Sequence, residues 1–432
     1  MKLLIEKPVY GGACLAHQTK GEGSGRAIFV PFTLPGELVE ARLVEQKDSF
    51  GEASLVRILD ASEDRVEPEC AHFGSCGGCH YQHAAYAAQV QMKAAILSET
   101  LERAGLTKLP AIQPISGQSW AYRNRTRLRM EEIDGHLQIG YSRRGSNEFL
   151  AIHECPILAP LLWRFAEALL QVAAEDVTVT RWLRTALEAE LFVAHDEATL
   201  QMTIFQKTVK NGLAPFCERI QKFIPELTGA STVFAAVGQK QGKLLRQLET
   251  WGTEGLIYRA AGEGYWVSRG GFFQINRFLV DELVRIVTGG RYGAIAWDLY
   301  AGVGLFSRAL AKAFQQVVAV EAAANDLSDS FKGPGRRALR ATTVEFLRSA
   351  VVQRERPQLI VIDPPRAGLG AEVCALLIRV AAPEIIYVSC DPATLARDLR
   401  SLVRAGYDLT ELHLVDMFPQ TYHLETVAVL HR

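Results

Sequence analysis

The sequence has no surplus of either charge: 47 Lys and Arg stand against 48 Asp and Glu, a formal net charge of −1 over 432 residues. That excludes bulk positive charge as a means of coating nucleic acid or membrane, while leaving room for a local basic surface. No apolar run approaches the roughly 20 residues that span a bilayer. The opening residues, Met1 to Pro8, are too short in their apolar part for a secretory signal. Internal repeats and low-complexity linkers are also missing. The expectation is a cytoplasmic monomer with no membrane partner. What is present is ordinary globular material, 48% hydrophobic and 22% charged. At about 150 residues per domain, the length points to roughly three domains.

Cysteine is not scarce. Clustered cysteines in a reducing compartment point to metal binding or catalysis rather than to disulfides. Cys70, Cys76 and Cys79 lie close together, and Cys155-Pro156 follows at a distance. Four thiolates suffice for an iron–sulfur cluster or a structural zinc, and His72, His80 and His83 could complete a zinc site, so the spacing leaves both open. Cys76-Gly77-Gly78-Cys79-His80 also matches the haem-attachment pattern, which belongs to exported proteins. Cys14, Cys217 and Cys374 have no partner motif and read as buried thiols.

Residues 1–62 read as short strands punctuated by Gly11-Gly12, Gly21, Gly23 and Gly25, with period-two runs at Leu38 to Val44 and Gly51 to Leu59. They predict a small β-barrel. Residues 63–270 carry the cysteines, a helix over Gln82 to Gly105, and a mixed α/β stretch. Within it, Arg123, Arg125, Arg127 and Arg129 occupy alternate positions. On a strand they share one face, and with Trp120 and Tyr122 nearby they predict a surface turned toward a polyanion. From residue 271 strands and helices alternate. Strands are expected at Ala294–Tyr300, Val317–Val320, Gln358–Ile362, Glu384–Val388 and Thr426–Leu430, with a weaker one near Ala341–Val344. The fold class is therefore multidomain α/β, ending in a doubly wound parallel sheet.

Three strand ends in that last region carry chemistry. Asp298 to Gly304 closes the first strand with a Gly-x-Gly turn into a helix, and Glu321 ends the next. A carboxylate there can hold ribose hydroxyls in nucleotide-binding sheets. Asp363-Pro364-Pro365-Arg366 makes a stiff corner that holds an acid at the ligand-binding edge. Cys390, within Ser389-Cys390-Asp391-Pro392, is a candidate nucleophile on the same edge.

Together these residues resemble the S-adenosylmethionine-dependent RNA 5-methyluridine methyltransferases, in particular the bacterial 23S ribosomal RNA branch. The resemblance runs from Leu34-Pro35-Gly36-Glu37 through the cysteine motif, Phe273-Gln274-Ile275-Asn276, Asp298–Gly304, Asp363–Arg366 and Ser389–Pro392, to Pro419-Gln420-Thr421-Tyr422-His423-Leu424-Glu425. It implies an RNA-binding TRAM barrel at 1–62, a central iron–sulfur and RNA-binding domain at 63–270, and a Rossmann-like class I methyltransferase at 271–432. It implies a 4Fe-4S cluster on Cys70, Cys76, Cys79 and Cys155. Cys390 would add to uracil carbon 6, and Glu425 would remove the proton from carbon 5. Gln274, Tyr300, Gly302, Glu321 and Asp363 would hold S-adenosylmethionine; Asp363, Arg123, Arg125 and Arg127 would contact RNA, ribosomal by the branch and transfer RNA as the alternative. The chain departs from the family in a short segment between Glu321 and Thr343, and in offering Thr342-Thr343 where an acid usually faces adenine. A non-catalytic RNA-binding protein and an amino-group methyltransferase, suggested by Asp-Pro-Pro-Arg, are the other readings.

Overall fold

The computed structural model describes residues 1–18, 25–235, 246–323 and 327–432. Gly21 and Gly23, and residues 324–326 of the short segment after Glu321, lie outside them. The chain forms two compact units: residues 1–74, 78–119 and 344–432, and residues 75–77 and 120–343. Among the described residues no helix is long and apolar enough to cross a membrane.

The first unit opens with a six-stranded sheet whose order across is Lys2–Leu4, Leu38–Gln46, Phe50–Asp60, Ala27–Pro31, Ala13–His17 and Lys7–Val9. Ala27–Pro31 buries every second residue, as a strand with one covered face must. Ile28, Val30, Val39, Ala41 and Ala53 meet Tyr81, Ala84 and Met92 in one core. The Leu34-Pro35-Gly36-Glu37 turn needs glycine, because Gly36 has φ +86. It turns Glu37 inward, where the carboxylate takes the Leu34 N–H at 2.8 Å and the Arg65 guanidinium at 2.6 Å.

Helix α1, Tyr86–Arg103, buries Val90, Met92, Ile96, Leu97 and Leu101, of which Met92 joins this core, and also buries Gln89 and Lys93. It stops at Gly105, whose φ of +87 ends a helix readily. The same unit holds the parallel strands Leu359–Ile362 and Glu384–Ser389. Thr426–His431 runs antiparallel to the latter, Asp408–Val415 antiparallel to Thr426–His431, and Ile112–Ile115 parallel to Asp408–Val415.

The second unit has a seven-stranded sheet ordered Phe149–Ala151, His136–Ser142, Arg125–Ile133, Ala186–Val193, Leu200–Gln206, Leu227–Phe234 and Arg246–Gly252. Helices Pro160–Glu175 and Leu213–Ile220 bury Phe165, Leu169, Phe216 and Ile220 in the core with Leu128, Met130, Leu191 and Ile204 of the sheet. Three parallel strands follow: Gly293–Leu299, Phe314–Glu321 and Arg336–Arg340. The last corrects the expectation of a strand near Ala341–Val344. Thr343 instead opens helix Thr343–Gln353. The β-branched Thr342-Thr343-Val344 run suggested a strand, but Phe346, Leu347 and Ala350 bury at helical spacing.

Candidate active site

Cys390 follows strand Glu384–Ser389 and precedes helix Pro392–Arg404. Asp391 caps that helix, accepting from Ala393 N at 3.0 Å and Thr394 N at 2.9 Å, with Pro392 at its first position. Strand end and capped helix hold the cysteine backbone from both sides. Thr426 pairs with Ser389 across the antiparallel ladder. One step further along the two chains lie Cys390 and Glu425, on neighbouring segments. Glu425 O accepts from Val415 N at 2.8 Å, which continues the pairing up to this point.

The Glu425 carboxylate acts on the Cys390 thiol, and Asp363 and Arg366 act on both. Burial pushes the Cys390 thiol up to about 11, the Glu425 charge adds to this, and Arg366 opposes it. Burial also holds the Glu425 carboxyl well above the usual range, Asp363 raises it further, and Arg366 pulls it down. Glu425 is 4% exposed. Thiol and carboxyl thus both resist ionisation, and the Arg366 guanidinium opposes both shifts.

Asp363 ends strand Leu359–Ile362, and the loop behind it is fastened to helix Pro392–Arg404. Leu369 N donates to Asp398 Oδ2 at 2.7 Å, and Tyr387 OH donates to the same oxygen at 2.9 Å. Gly368 has φ +72, and a Cβ there would stand 2.5 Å from that oxygen. Arg366 Nη2 lies 3.4 Å from His423 Nδ1. Tyr10, from the turn between the first unit's Lys7–Val9 and Ala13–His17 strands, packs edge-on against Tyr422 at 5.3 Å. Its hydroxyl is raised by burial, then by Asp391, with Cys390 contributing and Arg366 opposing. Neither Tyr10 nor Asp398 carries a motif, and their place here was not legible beforehand.

In the second unit, Asp298 is fully buried at the end of Gly293–Leu299. It accepts from Ser307 Oγ, and burial pushes its carboxyl up to about 7. Its Oδ1 finds no hydrogen-bond partner. Tyr300, Gly302 and Gly304 all have positive φ in the turn that follows, with open space around a Cβ at Gly302. Glu321 reaches this turn: its carboxylate accepts from Gly302 N at 3.0 Å and from Ala323 N at 2.7 Å. An unmatched buried oxygen and a glycine turn with room before it fit a polar nucleoside-like cofactor. Gln274 is 7% exposed, and its carbonyl accepts from Asn124 Nδ2 at 2.8 Å.

Arg125, Arg127 and Arg129 share one face of strand Arg125–Ile133, whereas Arg123 precedes that strand and makes only isolated bridges to Leu158 and Asn276; the strand's arginine charges are matched by neighbouring carboxylates. Arg125 binds Glu190 at 3.2 Å and the Gly271 carbonyl at 2.6 Å. Arg127 binds Glu188 at 2.5 Å, and Arg129 binds Glu131 at 2.6 Å. Arg125 stacks over Phe192 at 4.2 Å and Arg127 over Phe205 at 3.8 Å. Arg123 Nε donates to the Arg125 carbonyl at 3.0 Å.

Cys14, Cys217 and Cys374 are buried as expected, while Cys70, Cys76, Cys79 and Cys155 are half-buried. Cys70 N donates to Gln82 Oε1 at 3.2 Å, and Tyr141 OH lies 3.9 Å from Cys155 Sγ. Among the described residues no group of three or more His, Cys, Asp or Glu side chains is arranged to hold a metal ion.

A family described as tRNA (Uracil-5-)-methyltransferase matches residues 337–432. The 23S rRNA (uracil(1939)-C(5))-methyltransferase RlmD of Pectobacterium atrosepticum is 32% identical over 94% of this chain and 89% of its own. The protein of the same name from Chromohalobacter salexigens is 33% identical over 97% and 88%. The solved structure of Pyrococcus abyssi tRNA (uracil-54, C5)-methyltransferase in complex with S-adenosyl-L-homocysteine covers both chains completely, with TM-score 0.75 and 23% identity, which gives the mixed α/β methyltransferase fold. With relatives of this identity along nearly its whole length, the chain belongs to the S-adenosylmethionine-dependent RNA uracil-5-methyltransferase family.

Proposed function

We propose that this enzyme makes 5-methyluridine in 23S ribosomal RNA, with Cys390 as nucleophile and Glu425 as base. The observation that carries the reading is the juxtaposition of Cys390 and Glu425 one step beyond the Ser389–Thr426 pair. The ribosomal substrate follows the relatives' printed activity.

Carbon 5 of uracil is a poor nucleophile until carbon 6 carries an added thiolate. Cys390 Sγ adds to carbon 6, and the electron pair moves onto carbon 5 and the carbonyl. S-adenosylmethionine supplies an electrophilic methyl group; Gln274, Tyr300, Gly302 and Glu321 are the residues proposed to hold it. Glu425 then takes the proton from carbon 5. The released pair re-forms the carbon 5–carbon 6 double bond and expels Cys390 as thiolate. A carboxyl whose proton affinity is raised by burial and by Asp363 is a better base than an exposed one. Asp363 would also bind the uracil edge.

Residues 1–62 act in this reading as a TRAM-type RNA-binding barrel. Arg123, Arg125 and Arg127 meet RNA phosphates by exchanging their present carboxylate and carbonyl partners. Cys70, Cys76, Cys79 and Cys155 are the proposed 4Fe-4S ligands, tested by iron and sulfide analysis of anaerobically purified protein. The deciding experiment for the activity is transfer of labelled methyl from S-adenosylmethionine to total RNA of a deletion strain, with mapping of the product. Label at carbon 5 of a 23S uridine supports the reading. Label in transfer RNA replaces the substrate, and RNA binding without label supports a non-catalytic protein.

A further inference from the structure

Helix α1 buries two polar side chains that its core does not need. Gln89 and Lys93 lie one turn apart on one face. Each is almost without solvent exposure, 1% for Gln89 and 0% for Lys93. Burying a lysine is expensive and its ion pair returns little net stability, so such a group points to geometry rather than to cohesion.

Both residues grip one loop. Lys93 Nζ donates to Asp416 Oδ1 at 2.5 Å and to the Phe418 carbonyl at 2.9 Å. Gln89 Nε2 donates to Gln420 Oε1 at 2.9 Å, and Gln420 N donates back to Gln89 Oε1 at 3.0 Å. The Gln420 carbonyl accepts from His80 N at 2.8 Å and from Tyr81 N at 3.0 Å. Gln420 has φ +67, a left-handed conformation that a non-glycine residue keeps only when its surroundings hold it.

The gripped loop leaves strand Asp408–Val415 at Asp416 and returns at Glu425, where the Val415 N–H meets the Glu425 carbonyl at 2.8 Å. It is thus a closed excursion with Glu425 at its returning foot and α1 at its apex. Only Thr421 to Leu424 separate the gripped Gln420 from Glu425, so the placement of the apex bears directly on that of the carboxylate.

We propose that Lys93 and Gln89 are positioning residues that set the Glu425 carboxylate for removal of the carbon 5 proton. The proposal rests on the reading of Cys390 as nucleophile and Glu425 as base. Its signature is a defect in one step: methyl transfer proceeds, but the methylated RNA stays attached to Cys390.

The test uses the full chain, in-vitro-transcribed 23S RNA and methyl-labelled S-adenosylmethionine. The labelled protein–RNA adduct on a denaturing gel is compared with labelled RNA released. Q89M and the charge-free pair K93M/D416N are measured beside E425Q, with circular dichroism melts as the control for folding. The expected result is accumulation of labelled adduct in all three, with release slowed on the order of 10- to 100-fold. Q89M keeps the test decisive if the double variant folds poorly, because its partners are uncharged. Adduct and release falling together, in the wild-type ratio, overturns the proposal and leaves a structural role. If E425Q itself accumulates no adduct while methylation proceeds, Glu425 is not the base and the proposal falls with that reading.

Discussion

Cys390 and Glu425 face each other one step past the last registered pair, Ser389 with Thr426, of two antiparallel strands. One ladder leads to both residues, and on the cysteine side Asp391 caps the next helix. Cys390→Ala is expected to abolish both methyl transfer and covalent RNA adducts. Glu425→Gln is expected to retain adduct formation. Normal methylation by the alanine variant, followed with labelled S-adenosylmethionine, would sink the nucleophile assignment.

The thiol and the carboxyl give the reaction a pH profile with a definite sign. In the proposed reaction both groups must be deprotonated at some point, and burial holds both up, Cys390 to about 11. Below that value the thiolate fraction grows with pH, so the single-turnover rate should climb steadily from neutral into the alkaline range. Arg366 is the cation that opposes the shift. Arg366→Gln should raise the thiol by up to about one pH unit and slow the reaction at a fixed neutral pH by up to about tenfold. The arginine is exposed, so solvent screening keeps the effect at or below that size. An unchanged profile in this variant would mean that Arg366 does not act on the nucleophile.

The arginine strand yields a prediction opposite to the one its spacing suggests. Arg125 and Arg127 carry Glu190 and Glu188 as partners, so RNA must compete with carboxylates for them. Replacing both acids, E188Q and E190Q, should tighten RNA binding rather than weaken it. The salt dependence of binding should steepen by about one ion per arginine freed. Filter binding across a salt series reads both effects. Weaker binding at every salt concentration would show that the carboxylates order the arginines for RNA.

What was legible in the sequence depended on where each signal lies. Strands Gly293–Leu299, Leu359–Ile362 and Glu384–Ser389 were found within a residue or two because their apolar runs sit between helical segments. Arg336–Arg340 was missed because it has one strand neighbour and is mostly exposed, so burial wrote no pattern into it. Alternate arginines were visible, but the partners of Arg125 and Arg127, Glu190 and Glu188, sit on Ala186–Val193, about 60 residues on, each one diagonal step from its arginine in a register that sets Arg127 opposite Glu190 and Arg129 opposite Glu188. Cys390, Asp363 and Glu425 carry motifs. Gln89, Lys93 and Tyr10 do not, since a polar residue inside a helix or an aromatic in a turn acquires its role only from a partner hundreds of residues away.

Glu37 and Arg65 supply a stability test that is independent of catalysis. The Glu37 side chain is fully buried and Arg65 19% exposed, with the guanidinium 2.6 Å from the carboxylate. Burial works against the Glu37 charge, but Arg65 and the Leu34 N–H outweigh it and hold the carboxyl below its usual range. Arg65→Met should therefore strand a buried carboxylate, at a cost of about 3 kcal/mol. The sign with pH follows from the lowered value. The contribution of this pair is complete above the unfolded carboxyl pKa of about 4.3 and disappears as pH falls through the folded one. Urea unfolding of the wild type and of Arg65→Met should thus differ most near neutrality and converge in acid. A constant difference across the pH range would assign the loss to packing of the arginine stem instead of to its charge.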